Sequence, residues 1–72
     1  MTFTDALSAV FNDGDPITRP IWHAGAQVTL DDGVLSINGY LQDGKWVQDG
    51  QWRAWVVTEQ DFFADDWEVV DG

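Results

Sequence analysis

Apolar residues recur at helical spacing only at the start of the chain, where Phe3, Ala6, Leu7, Val10 and Phe11 share one side. Thr4 is placed to cap the amino end, Asp5 sits in the first turn where a helix favours an acid, and Asn12-Asp13-Gly14 stops the pattern. This predicts a short amphipathic helix over 4–13 that ends at a glycine, with Phe3 stapled onto its apolar face. A helix of that length is marginal by itself and needs a sheet to lie on.

Beyond it the apolar period shortens to two. Ile17 to Trp22 alternates with Ile17, Arg19 and Ile21 on one side, and Pro20 marks an edge or a bulge. Gln27–Leu30 and Val34–Asn38 flank Asp31-Asp32-Gly33 and read as a hairpin, with 23–26 a loop before it. Residues 40–49, punctuated by Asp43-Gly44 and Asp49-Gly50, read as a loop or short ribbon, and 51–57 as a strand. Thr58-Glu59-Gln60-Asp61 has capping-box spacing and predicts a helical turn to about Ala64, followed by a last strand from Trp67 to Val70. The expected fold is α+β: an N-terminal helix on a four- or five-stranded, mostly antiparallel sheet, with a short helical turn before the last strand. Val56, Val57, Phe62, Phe63, Ala64 and Trp67 are expected to be scaffold.

Composition sharpens this. A chain of 72 residues makes one domain, 1–72, and a domain so short buries a modest share of its surface. With no cysteine and one histidine it has neither disulfides nor a His/Cys zinc cluster to help, so stabilisation is expected from aromatic burial and from oligomerisation. The 13 acidic residues face only Arg19, Lys45 and Arg53, a net charge of −10, which excludes a nucleic-acid binder that works by neutralising phosphates. No apolar run approaches the ~20 residues of a membrane span and no leader pattern opens the chain, so a cytoplasmic, membrane-free protein is expected.

Candidate chemistry is thin. Asp61, Asp65 and Asp66 are close in sequence, but helical geometry puts 66 off the face shared by 61 and 65, and capping explains Asp61 better than a metal does. His23 has no nucleophile motif beside it, and no glycine-rich phosphate loop is present. No catalytic residue, metal or cofactor is therefore assigned. The tryptophans are another matter. Trp22, Trp46, Trp52, Trp55 and Trp67 are more than a core this size requires, because each buried indole N–H needs a partner, and the surplus suits a subunit interface or stacking on a base. Arg19 and Arg53 are either paired with carboxylates or kept for phosphate.

Three groups of residues together resemble the second Thoeris anti-defence family of phage proteins. They are Met1, Phe3, Ala6 and Leu7 with Gly14 after them, Arg19 and Trp22 as R-x-x-W, and W-x-x-T-x-x-D-x-x-A-x-D-W over Trp55, Thr58, Asp61, Ala64, Asp66 and Trp67. Residues 23–54 carry no alignable match, which leaves ligand identity open. The resemblance implies a homotetramer with pockets at subunit interfaces that captures glycocyclic ADP-ribose or a related cyclic nucleotide, an immune signal, without chemistry on it. On that footing Trp22 and Trp55 are expected to stack on the ligand, Arg19 to meet phosphate, and Thr58 and Asp61 to hydrogen-bond ribose or base edges. Two rival readings are an acidic protein-binding inhibitor or nucleic-acid mimic, and a small hydrolase using Asp61 and Asp65.

Overall fold

The computed structural model describes residues 1–70. Helix α1 (Phe3–Ser8) is capped by Thr2, whose hydroxyl accepts from the Asp5 N–H at 3.2 Å. The expected cap was Thr4. Thr2 takes its place because it has Asp5 three residues on, and the earlier start draws Phe3 into the helix and into the core. The helix runs on as a π-helical turn (Ala9–Asp13) and ends at Gly14, which adopts the left-handed conformation expected of a terminating glycine (φ 71°). Phe3, Ala6 and Val10 are buried, whereas Phe11 points to solvent, because the wider turn carries it off the apolar stripe.

Seven strands follow: β1 (Ile17–Thr18), β2 (Val28–Asp31), β3 (Val34–Ile37), β4 (Tyr40–Gln42), β5 (Lys45–Val47), β6 (Arg53–Ala54) and, after helix α2 (Glu59–Phe63), β7 (Glu68–Val69). A five-stranded sheet has the order β6-β3-β2-β1-β7 with every pairing antiparallel, and β4-β5 forms a separate ribbon. This is the α+β architecture expected, with α1 on the sheet and α2 before the last strand. Both hairpins close with Asp-Gly loops in which the two central residues have positive φ, Asp32 (52°) with Gly33 (80°) and Asp43 (52°) with Gly44 (76°). These are the backbone angles of the turn type whose twist matches paired strands.

Several strands are shorter than the alternation suggests. The strand from Ile17 stops at Thr18, since Pro20 has no N–H to donate, and the chain turns so that Trp22 N–H reaches Arg19 C=O at 3.0 Å. The expected strand 51–57 is reduced to Arg53–Ala54 on the sheet edge, with one further bond from Trp55 N–H to Leu35 C=O.

The core is formed by Phe3, Ala6, Val10, Ile17, Val28 and Trp67, the last only 1% exposed. Of the residues expected to be scaffold, Trp67 is in the core and Ala64 packs against it, Phe62 is half exposed but meets the Phe3 ring, and Val56 and Phe63 are 80% and 74% exposed. On a five-residue helix the inward position belongs to Asp61, so the adjacent phenylalanines are turned outward. No helix among the described residues is long and apolar enough to cross a membrane.

Candidate functional site

A cleft of about 450 Å³ opens between the end of the main sheet and the β4-β5 ribbon. Three separate segments place the expected ligand residues in it. Trp22 comes from the turn after β1, Trp55 from the end of β6, and Thr58 and Asp61 from the cap and first turn of α2. The two indoles pack edge to face, with ring centres 6.0 Å apart. Both also meet Trp67 beneath them, at 5.2 Å and 5.9 Å, so each has one side in the core and one on the cleft.

Asp61 is the polar hub. Thr58 caps α2 by accepting the Asp61 N–H at 3.1 Å, as expected, and its hydroxyl donates to Asp61 Oδ2 at 2.9 Å. The reciprocal half of the capping box is missing: the Asp61 carboxylate does not return to the backbone of Thr58. Its Oδ1 instead accepts from Arg19 Nη1 at 2.8 Å and from Trp22 Nε1 at 3.4 Å. The Asp61 backbone carbonyl takes the Trp67 indole N–H at 3.0 Å.

Arg19 lies behind this hub and does not line the cleft. Its Nη1 binds Asp61, while Nε and Nη2 form a fork on Asp66 at 2.7 Å and 3.4 Å. The side chains of Arg19 and Asp61 are only 10% and 11% exposed. The hydrogen bond with Asp66 is the main cause that raises the guanidinium above its ordinary pKa, and the same bond holds the Asp66 carboxyl below the usual range. Arg19 lines a separate cavity of about 290 Å³ that shares Trp22 and His23 with the cleft, and a phosphate would reach its guanidinium only by displacing the carboxylates of Asp61 and Asp66.

Arg53 is held differently. It forms a two-point pair with Asp49, pushing that carboxyl down to about 2, and its guanidinium carbon lies 4.4 Å over the Tyr40 ring, which lines the cleft. Both partners of this pair are about one-third exposed.

The region 23–54, unassigned in the sequence, supplies the remaining surface. Tyr40, Leu41 and Trp46 come from the ribbon, and His23 stacks on Trp46 with the rings 10° from parallel and 6.0 Å apart. Trp46 rests on Gly39: a Cβ there would lie 2.6 Å from its Cζ2 and would also strike the Val47 carbonyl oxygen. Buried Asn38 ties the 23–26 loop to the hairpin by accepting the Gln27 N–H at 3.0 Å and donating to Gly25 C=O at 2.8 Å. The surplus of tryptophans was the signal for Trp46; nothing in the spacing marked His23 or Tyr40. No group of three or more His, Cys, Asp or Glu that could hold a metal ion occurs among the described residues.

Residues 1–70 match the family model of the Thoeris anti-defense 2-like (Tad2-like) domain. No curated protein matches the sequence.

Proposed function

This chain belongs to the Thoeris anti-defense 2-like family, which gives it a role against Thoeris defence, and we propose that it performs that role as a sponge. In this reading residues 1–72 form one domain that binds and sequesters a cyclic nucleotide immune signal of the cyclic ADP-ribose type in the host cytoplasm and returns it uncleaved. The observation that supports the reading is that Trp22, from the turn after β1, meets Trp55, Thr58 and Asp61, from the stretch between β6 and α2, on one cleft. Its volume falls in the ordinary range for small-molecule pockets.

Charge decides how such a ligand sits. The cleft end at Thr58 and Asp61 is rich in acceptors, so it suits base or ribose donors and repels phosphate. Arg53 does not line the cleft but lies over the ring of Tyr40, which does, and so offers phosphate a cation at the ribbon end. The Arg53–Asp49 pair is exposed to water and salt, so exchanging Asp49 for phosphate is easier than extracting Arg19 from its shielded pair with Asp61. Debye screening over ~8 Å at physiological salt limits repulsion from the net charge of −10.

Ile21, Leu41 and Val56 line the cleft and are exposed, and Phe62 and Phe63 continue an apolar surface on α2. Such a rim leaves a bound nucleotide open to water in one subunit. Association into the homotetramer would cover it, and the native mass of the assembly measures this directly.

The test of the sponge is thermal. The protein is incubated with cyclic ADP-ribose and glycocyclic ADP-ribose, melted, and the released small molecule is weighed. A ligand at a hundred times its dissociation constant should add ~2.7 kcal/mol to stability. No thermal shift with either nucleotide ends the proposal, and so does recovery of a cleaved product.

A further inference from the structure

We infer that Asp66 and Arg19 are positioning residues for the cleft: Asp66 orients the Arg19 guanidinium, Arg19 holds the Asp61 carboxylate, and Asp61 fixes the Trp22 ring and the Thr58 hydroxyl. The inference rests on the reading that ligand occupies this cleft. Neither Asp66 nor Arg19 lines it, so both act at a distance.

The geometry supports the order of the relay. Asp66 Oδ1 accepts from Arg19 Nε at 2.7 Å, and a longer contact from Nη2 to Oδ2 at 3.4 Å lies alongside it, so the carboxylate faces the Nε–Nη2 edge and orients the guanidinium plane. With that plane set, Nη1 is aimed at Asp61 Oδ1. Asp61 is buried and receives a donor from each of Arg19, Trp22 and Thr58. Its bond to Trp22 is the longest at 3.4 Å and so the most sensitive to a shift of the carboxylate. Arg19 also offsets the charge of Asp61 in a cleft that must admit a phosphate-bearing molecule. Loss of Asp66 therefore loosens the Trp22 surface, and loss of Arg19 additionally leaves a shielded carboxylate unpaired.

Asp66→Asn is the informative variant, because Asp66 is the most exposed member, with its side chain 37% accessible, and its loss should leave the fold intact. In ligand-free protein the Trp22 indole N–H resonance, assigned with Trp22→Phe, should move while that of exposed Trp52 stays in place. Binding of cyclic ADP-ribose, measured by calorimetry, should weaken by about tenfold, as expected when members of one hydrogen-bonded network are uncoupled. Arg19→Gln should weaken it further, and Arg19→Gln combined with Asp61→Asn should recover much of the loss, since a neutral amide needs no counter-ion yet can still accept from Trp22. An unmoved Trp22 resonance in folded Asp66→Asn overturns the relay, as does unchanged affinity or a double variant no better than Arg19→Gln. The resonance is read without ligand. Should the unaltered protein fail to bind cyclic ADP-ribose, the cleft reading falls while the resonance still decides the relay.

Discussion

Trp67→Phe tests the scaffold on which the cleft rests. The Trp67 ring is almost fully buried, touches Phe3, Trp22 and Trp55, and donates its indole N–H to the Asp61 carbonyl. Phenylalanine keeps the six-membered ring and loses the donor. The lost hydrogen bond costs ~1 kcal/mol, with no full desolvation penalty, because the same carbonyl also accepts the Ala64 N–H at 3.3 Å. The side chain is smaller by roughly 40 Å³, and at ~24 cal/mol per Å³ the residual cavity adds ~1 kcal/mol. Lost apolar transfer raises the total to about 2–3 kcal/mol, at ~25 cal/mol per Å² of area no longer buried. A domain of this size has roughly 4–11 kcal/mol to lose, so the variant should fold and melt about 10–20 °C lower. Urea unfolding followed by far-ultraviolet circular dichroism, at one fixed protein concentration, measures the difference without relying on tryptophan emission. A loss below ~0.5 kcal/mol would refute the reasoning, since it would mean that the indole is neither enclosed nor bonded as described.

Three further outcomes are expected. Gly39→Ala should push Trp46 and the β4-β5 ribbon away from the cleft and reduce cyclic ADP-ribose affinity more than it reduces stability, as calorimetry and urea unfolding on the same sample will show. Thr58→Ala removes the cap of α2 and one donor to Asp61 and should cost ~1 kcal/mol in urea unfolding, with a value near zero arguing that α2 is not held by its cap. For acid, the carboxyls of Asp66 and Asp49 are depressed in the folded protein by Arg19 and Arg53, so the stability they add is complete above their unfolded pKa and is lost as pH falls through the folded values. The share of Asp49 in the melting-temperature loss should therefore lie between about pH 4 and about pH 2 and that of Asp66 below about pH 4, where Asp66→Asn should shrink the loss while leaving the slope above about pH 5 untouched.

Turn and cap chemistry was the most legible part of the sequence. Asp32-Gly33 closes a hairpin because those residues tolerate the angles the turn demands, and Thr58 caps α2 because its hydroxyl reaches the N–H three residues on. The same rule places the start of α1 at Thr2, three residues before Asp5, whereas the apolar period alone points to Thr4. Burial was misread where a polar network claimed the interior. Phe62 and Phe63 are more apolar than Asp61, yet Asp61 is turned inward because Arg19, Trp22, Thr58 and Trp67 all satisfy it there. Those partners lie up to 42 positions away, beyond any local pattern. The ribbon was invisible as a cleft wall for a related reason: its docking depends on Trp46 lying against a glycine, a contact without periodicity.

The two sides of the cleft are built on different physical principles. On one side, indole N–H groups from Trp22 and Trp67 reach the side chain and the backbone of the same aspartate, so the residues that would face a ligand share their bonds with the core. Any change there alters stability and binding together, because a shielded carboxylate left short of donors is costly wherever it lies. On the other side, Tyr40, Leu41 and Trp46 stand on a two-stranded ribbon that contributes nothing to the buried cluster around Trp67. Substitutions at those three positions can reshape the cleft with little effect on the fold. For the sponge proposed above, discrimination between one cyclic nucleotide and another would fall to the ribbon, with the aspartate side as the fixed surface opposite it.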